Sequence, residues 1–102
     1  MIRHVVLFRR IEGTPDATVA EVMEAIAALA DVVPGIVGTS CGPDCSPEGL
    51  QRGMTDGFTV DFVDATARDA YLVHPDHQAA GARLVALAEG GIEGLLVLDW
   101  EM

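Results

Sequence analysis

"EGLLVLDWE", residues 93–101, reads as a strand with almost no polar break: Leu95, Leu96, Val97 and Leu98 follow one another before Asp99 and Trp100. Successive side chains of a strand leave on opposite faces, so a half-buried strand alternates apolar and polar residues. A strand apolar on both sides is one whose two faces are both covered. This last segment therefore demands cover on both sides of a sheet.

The other strands read outward from it. In "GFTVDFV" (57–63), Phe58, Val60 and Phe62 share one face, with Thr59 and Asp61 on the other. "IRHVVLF" (2–8) is β-branched and aromatic. Period 2 puts Ile2, His4, Val6 and Phe8 on one face and Arg3, Val5, Leu7 and Arg9 on the other. His4 thus sits in the middle of an apolar face and needs a reason to be there. "IVGTSC" (36–41) is a further strand, weakened by Gly38.

Between the strands lie helices. Val19, Val22, Met23, Ile26 and Ala30 recur at three and four, an apolar helical stripe that Pro34-Gly35 stops. Its start has two readings: Thr14 as cap with Pro15 in the first position, or a capping box of Thr18 with Glu21. Residues 42–56, "GPDCSPEGLQRGMTD", form one long exposed loop. Asp64 and Ala65 lead into a short helix, "TARDAYLV". Pro75 then opens a longer one from Asp76 to about Ala88, with Ala79, Ala80, Leu84, Leu87 and Ala88 apolar, ended by Gly90-Gly91.

The order β-α-β-β-α-β is the ferredoxin-like α+β pattern: an antiparallel sheet with both helices on one face, here as a single domain over residues 1–102. The other sheet face is left bare. A second copy is its simplest cover, and two such sheets face to face make a dimeric α/β barrel, so a homodimer is expected.

Composition narrows the partners. Six Lys and Arg against sixteen Asp and Glu give a net charge of −10, which disfavours nucleic acid and anionic membrane. No lysine is present, which excludes lysine Schiff-base chemistry. No apolar run approaches the roughly 20 residues that span a bilayer. "MIRHVVLFRR" is too short and too charged for a secretory signal, so a cytoplasmic location is expected. Cys41 and Cys45 are spaced one residue beyond a C-x-x-C motif and lack a second pair, so they read as free thiols.

Two of the three histidines fall in "AYLVHPDHQAA" (70–80). A metal site would draw on His4, His74 and His77 with Asp56. Pro75, however, biases His74 toward an extended backbone outside the helix, so no metal is expected. His74 is expected to satisfy local backbone groups, and His77 to sit one turn into the helix. Histidine moves protons near neutral pH. His77 can take one from a carbon acid whose carbonyl is polarised by the Tyr71 hydroxyl; Asp56, if close, would orient a histidine. The plainer reading makes His77 a cap or a solvated residue and His4 a satisfied core histidine. On the catalytic reading, His77 opens onto an apolar cavity floored by His4, Val6 and either Phe58 or Thr59.

Together, "IRHVVLF", "VPGI", "GFTVDFVD", "AYLVHPDHQ" and "VLDWE" resemble the stress-responsive A/B barrel (Dabb) family, nearly end to end. The resemblance implies a homodimeric barrel with a small-molecule pocket between sheet and helices. It also implies chemistry free of metal and organic cofactor, as in a plant polyketide cyclase of that family. Tyr71 and His77 match its working pair and His4 a supporting histidine, while Asp56 stands where another histidine is expected. The site residues anticipated are therefore His77, Tyr71 and His4 for catalysis. Val6, Phe8, Asp56, Phe58, Thr59 and His74 are anticipated around the substrate. The function implied is a cyclase or lyase acting on a carbonyl-rich, polyketide-like or aromatic molecule. The alternatives are a non-catalytic small-molecule-binding protein and a stress-response dimer module.

Overall fold

The structure is a computed structural model describing residues 1–102. Four strands form one antiparallel sheet: β1 (Ile2–Phe8), β2 (Ile36–Pro43), β3 (Asp56–Phe62) and β4 (Leu95–Glu101), in the spatial order β2-β3-β1-β4. Helices α1 (Asp16–Ala27), α2 (Ala65–Val73) and α3 (Pro75–Leu87) complete a ferredoxin-like α+β fold. β1 is central because it can be buried on one face throughout: Ile2, His4, Val6 and Phe8 are all buried. β3 mirrors it, with Asp56, Phe58, Val60 and Phe62 buried. The two pair in register, Val6 opposite Phe58 and His4 opposite Val60.

The helices lie on this face. Val19, Val22, Met23 and Ile26 of α1 are buried, as are Tyr71 of α2 and Ala80, Leu84 and Leu87 of α3. Phe8, Phe62 and Val60 are sealed completely, each large apolar side chain contributing about 1.5–3 kcal/mol through removal from water. The turn before β2 brings the chain close to α2. Gly35 there has φ of 92°, and a Cβ on it would stand 2.5 Å from that of Ala67, so only glycine fits.

Several local expectations are corrected. α1 begins at Asp16 behind Pro15, with no side-chain cap, so Thr14 is not the N-cap. Its hydroxyl donates to the Ile11 carbonyl in the preceding turn, at 2.6 Å. Thr18 lies inside the helix, which rules out the Thr18–Glu21 box. Ala30 is exposed and Leu29 takes its place in the core, because the chain tightens to a 3-10 turn over Ala28–Asp31 and the step from Ile26 becomes three residues. Ala79 is also exposed. β2 runs two residues further than expected, pairing Gly42 with Gly57 and Pro43 with Asp56. Pro43 is tolerated because β2 is an edge strand. The closing strand starts two residues later, at Leu95, because Gly91–Gly94 form a 3-10 turn.

The opposite sheet face carries Val5 and Leu7 of β1 beside Leu98 and Leu96 of β4. Leu96, Leu98 and Trp100 are 41%, 46% and 45% exposed. Arg3 and Asp61 form a bidentate pair on that face, at 2.8 and 2.9 Å. No helix is long and apolar enough to cross a membrane. Cys41 and Cys45 are free and exposed.

Candidate active site

Where α2 ends and α3 begins, one residue serves both helices. His74 closes α2 through its backbone N–H, which donates to the Tyr71 carbonyl at 3.1 Å. Its Nδ1 accepts from the Asp76 N–H at 3.1 Å, capping α3, whose first residue is Pro75. An extended backbone at His74, as the following proline requires, makes this possible. The side chain expected at the substrate is thus a helix cap.

One turn on, His77 packs its ring on Tyr71, with centroids 4.2 Å apart at 43°. Its Nδ1 lies 3.3 Å from the Leu72 carbonyl. A carbonyl only accepts, so Nδ1 carries the proton, and in the neutral ring Nε2 holds the lone pair. Burial pushes the His77 pKa down; the Leu72 carbonyl opposes this, while His4 and His74 add to it.

Tyr71 is 1% exposed and also contacts Phe62 and His4, at centroid distances of 5.0 and 6.0 Å. Burial alone pushes its hydroxyl up to about 12. The hydroxyl has no hydrogen-bond partner in the chain, yet it is not among the buried polar atoms cut off from the surface. It is a proton-bearing donor with its bond unspent.

His4 answers to a residue the sequence reading passed over. It sits opposite Asp99 across the β1–β4 ladder, and its Nδ1 lies 2.7 Å from Asp99 Oδ1. Asp99 Oδ2 accepts from Arg68 Nη1 at 2.7 Å, and Arg68 Nε donates to Asp69 at 2.7 Å. Burial would raise the Asp99 carboxyl, but the hydrogen bonds from Arg68 and His4 outweigh it and hold it below the usual range. A carboxylate only accepts, so His4 Nδ1 is the donor and the neutral ring keeps Nε2 as its free acceptor. The signal was a lone acid in an apolar strand, at the register position facing His4.

These groups line one cavity of about 230 Å³. His4, Tyr71 and His77 meet there with Val6 and Phe58 on the floor and Gly81, Val85 and Val97 among the walls. The helix-side face encloses it, so Phe58 and not Thr59 belongs to the floor; Thr59 lies on the opposite sheet face. Phe8 is sealed in the core and does not reach the cavity. Asp56 does not orient a histidine. It is buried against Arg10, which holds it at 2.7 and 2.9 Å and also reaches Asp16 at 2.6 Å. Burial works against the Asp56 carboxylate, but the Arg10 and Thr55 hydrogen bonds keep its pKa low. No three His, Cys, Asp or Glu side chains are grouped to hold a metal. Three wider clefts, of about 710, 580 and 380 Å³, lie under the 44–55 loop, between α1 and β2, and between α1 and α3. None contains a histidine or tyrosine, and the proton-transfer groups single out the smaller cavity.

The model of the stress responsive A/B barrel domain matches residues 2–102. The chain belongs to this family. Among solved structures, this Dabb chain is 36% identical to a dimeric ferredoxin-like protein of unknown function from Jannaschia sp. CCS1. The match covers 99% of this chain and 98% of that one, with a TM-score of 0.83. A protein from Arabidopsis thaliana aligns at 24% identity over 100% and 95% of the two chains, with a TM-score of 0.90. A hydroxynitrile lyase from Passiflora edulis aligns at 16% identity over 99% and 92%, with a TM-score of 0.86. These last two likenesses speak to the Dabb fold alone. No curated protein gives a significant sequence match to this Dabb domain.

Proposed function

We propose that this Dabb protein is a cofactor-free enzyme that moves a proton at the carbon next to a carbonyl. His77 Nε2 takes the C–H proton, the electron pair passes into the enolate, and the Tyr71 hydroxyl donates its hydrogen bond to the enolate oxygen. The enolate carbon then attacks a second carbonyl of the same molecule, and the alkoxide so formed takes the proton back from His77, which makes the protein a cyclase acting on a polyketide-like or aromatic substrate. A lyase would use the same groups to deprotonate a hydroxyl; the alkoxide becomes a carbonyl as the adjacent carbon–carbon bond breaks, and the departing carbanion takes the proton from His77. His4, oriented by Asp99, supplies a second proton-transfer group at the same cavity.

One observation carries this reading: Tyr71, whose hydroxyl has no partner in the chain, lines the cavity that His77, a histidine with depressed pKa, also lines. The hydroxyl proton is thereby free to be donated to a substrate carbonyl. The fold is compatible with such chemistry, being shared with the Passiflora edulis hydroxynitrile lyase, although fold alone does not assign function.

The working form is a homodimer, closed through Leu96, Leu98 and Trp100. The Jannaschia relative is described as dimeric, and these exposed side chains supply an apolar face for a second copy. We place the dimer in the cytoplasm, in keeping with two free thiols. The test is solvent-deuterium exchange into the methyl group of acetophenone, followed by NMR. The wild type is expected to accelerate exchange, and Tyr71→Phe and His77→Ala to remove the acceleration. Acetophenone bound in the cavity with no acceleration would favour a binding protein and end the enzymatic reading.

A further inference from the structure

Gly81 stands in the middle of α3, and the packing gives no reason for it. Its backbone is not among those with positive φ, and a Cβ built on it would meet no atom within 4 Å. A glycine inside a helix costs stability relative to alanine, because more backbone freedom is lost on folding. That cost has no structural return within the chain.

What Gly81 does border is the cavity. It follows His77 by one turn and precedes Val85 by one turn, and all three line the same space. Helical side chains lean toward the N-terminus, so a side chain at 81 would lie back over the turn that carries His77. Its absence leaves the space beside the His77 ring free.

The lining also limits what can fill that space. It contains no Arg, Asp or Glu. Apart from Gly81, everything beyond His4, Tyr71 and His77 is aliphatic or Phe58. A charged group buried there would meet no fixed counter-charge, only His4 and His77, one of which would have to gain a proton to pair with an anion, and would be disfavoured. At about 230 Å³ the cavity is smaller than the roughly 300–1,000 Å³ of sites for drug-sized ligands.

We propose that Gly81 is the specificity-determining residue of this cavity. It keeps open the approach to His77 for a compact, uncharged, largely apolar carbonyl compound. The proposal rests on the catalytic reading for its carbonyl, but it is tested by binding.

Acetophenone and 4-acetylbenzoate share a ring and a ketone and differ by one carboxylate. Each is titrated into the wild type, Gly81→Ala and Gly81→Leu, following the ring resonances of His77 and Tyr71 by NMR. Acetophenone is expected to shift both residues saturably in the wild type. Gly81→Ala should bind it several-fold more weakly while melting at a higher temperature, and Gly81→Leu at least tenfold more weakly. 4-Acetylbenzoate should bind the wild type at least tenfold more weakly than acetophenone does. If Gly81→Leu does not fold, the Gly81→Ala comparison decides. The proposal is overturned if the folded variants bind acetophenone like the wild type, if the wild type does not bind it, or if the carboxylate is no handicap. Binding as expected without isotope exchange would sink the catalytic reading and leave Gly81 in its role. Exchange undiminished in Gly81→Leu would do the reverse.

Discussion

His4 and Asp99 face each other on neighbouring strands, and their side chains meet with Nδ1 2.7 Å from Oδ1. A histidine on an apolar sheet face is thereby held in one tautomer, by a carboxylate that Arg68 secures from α2. Asp99→Ala would leave the His4 Nδ1–H buried without an acceptor. The expected loss is about 1–3 kcal/mol of stability, read from urea unfolding. Asp99→Asn should lose less, because its amide oxygen still accepts. Equal stability of all three proteins would show the pair to be idle.

Tyr71→Phe removes a hydroxyl that the folded chain does not bond. The melting temperature should stay the same or rise, and isotope exchange should disappear. A clear drop in melting temperature would mean that the hydroxyl has a structural partner. Full activity would make Tyr71 packing and not chemistry.

Acid stability has two expected steps. Asp56, Asp61 and Asp99 all have folded pKa values below the ordinary carboxylate range. Groups of this kind stabilise the fold above about pH 4 and lose that contribution as pH falls through their folded values. His77 acts earlier. Its folded pKa also lies below the ordinary value of about 6.5, so the unfolded chain binds its proton first and stability declines as pH falls from there. Urea midpoints at pH 8 and pH 5.5 should therefore fall more for the wild type than for His77→Gln. An identical fall in both would remove the claim that burial depresses His77.

Leu98 lies near the middle of the open sheet face, opposite Val5. In a face-to-face dimer, Leu98→Glu would bring like charges together across the seam. Light scattering should give twice 10.7 kDa for the wild type and 10.7 kDa for the variant. A monomeric wild type at micromolar concentration would remove the dimer from the account.

The strands and helices were legible because their periods are clean: Phe58, Val60 and Phe62 alternate, and Val19, Val22, Met23 and Ile26 form a stripe, all buried as spaced. The place of His74 at a helix end could also be read locally, since Pro75 fixes the backbone before α3. What escaped were relationships made by register and by long side chains. Asp99 is remote from His4 in sequence and meets it only once β4 pairs with β1. Asp56 was matched to a histidine-supporting place, but Arg10 claims it from the far end of β1, an ion pair that no local pattern announces. The cap of α1 was missed because Thr14 bonds backward to Ile11 instead of forward into the helix.

The central claim is that His77 moves the proton while His74, three residues earlier, only holds a helix end. Isotope exchange into acetophenone should be compared for His77→Ala and His74→Ala, alongside the unfolding free energy of each. The account predicts exchange abolished with little loss of stability for His77→Ala. For His74→Ala it predicts exchange retained with a loss of about 1 kcal/mol, the usual cost of a missing N-cap. Exchange lost in His74→Ala and kept in His77→Ala would contradict it.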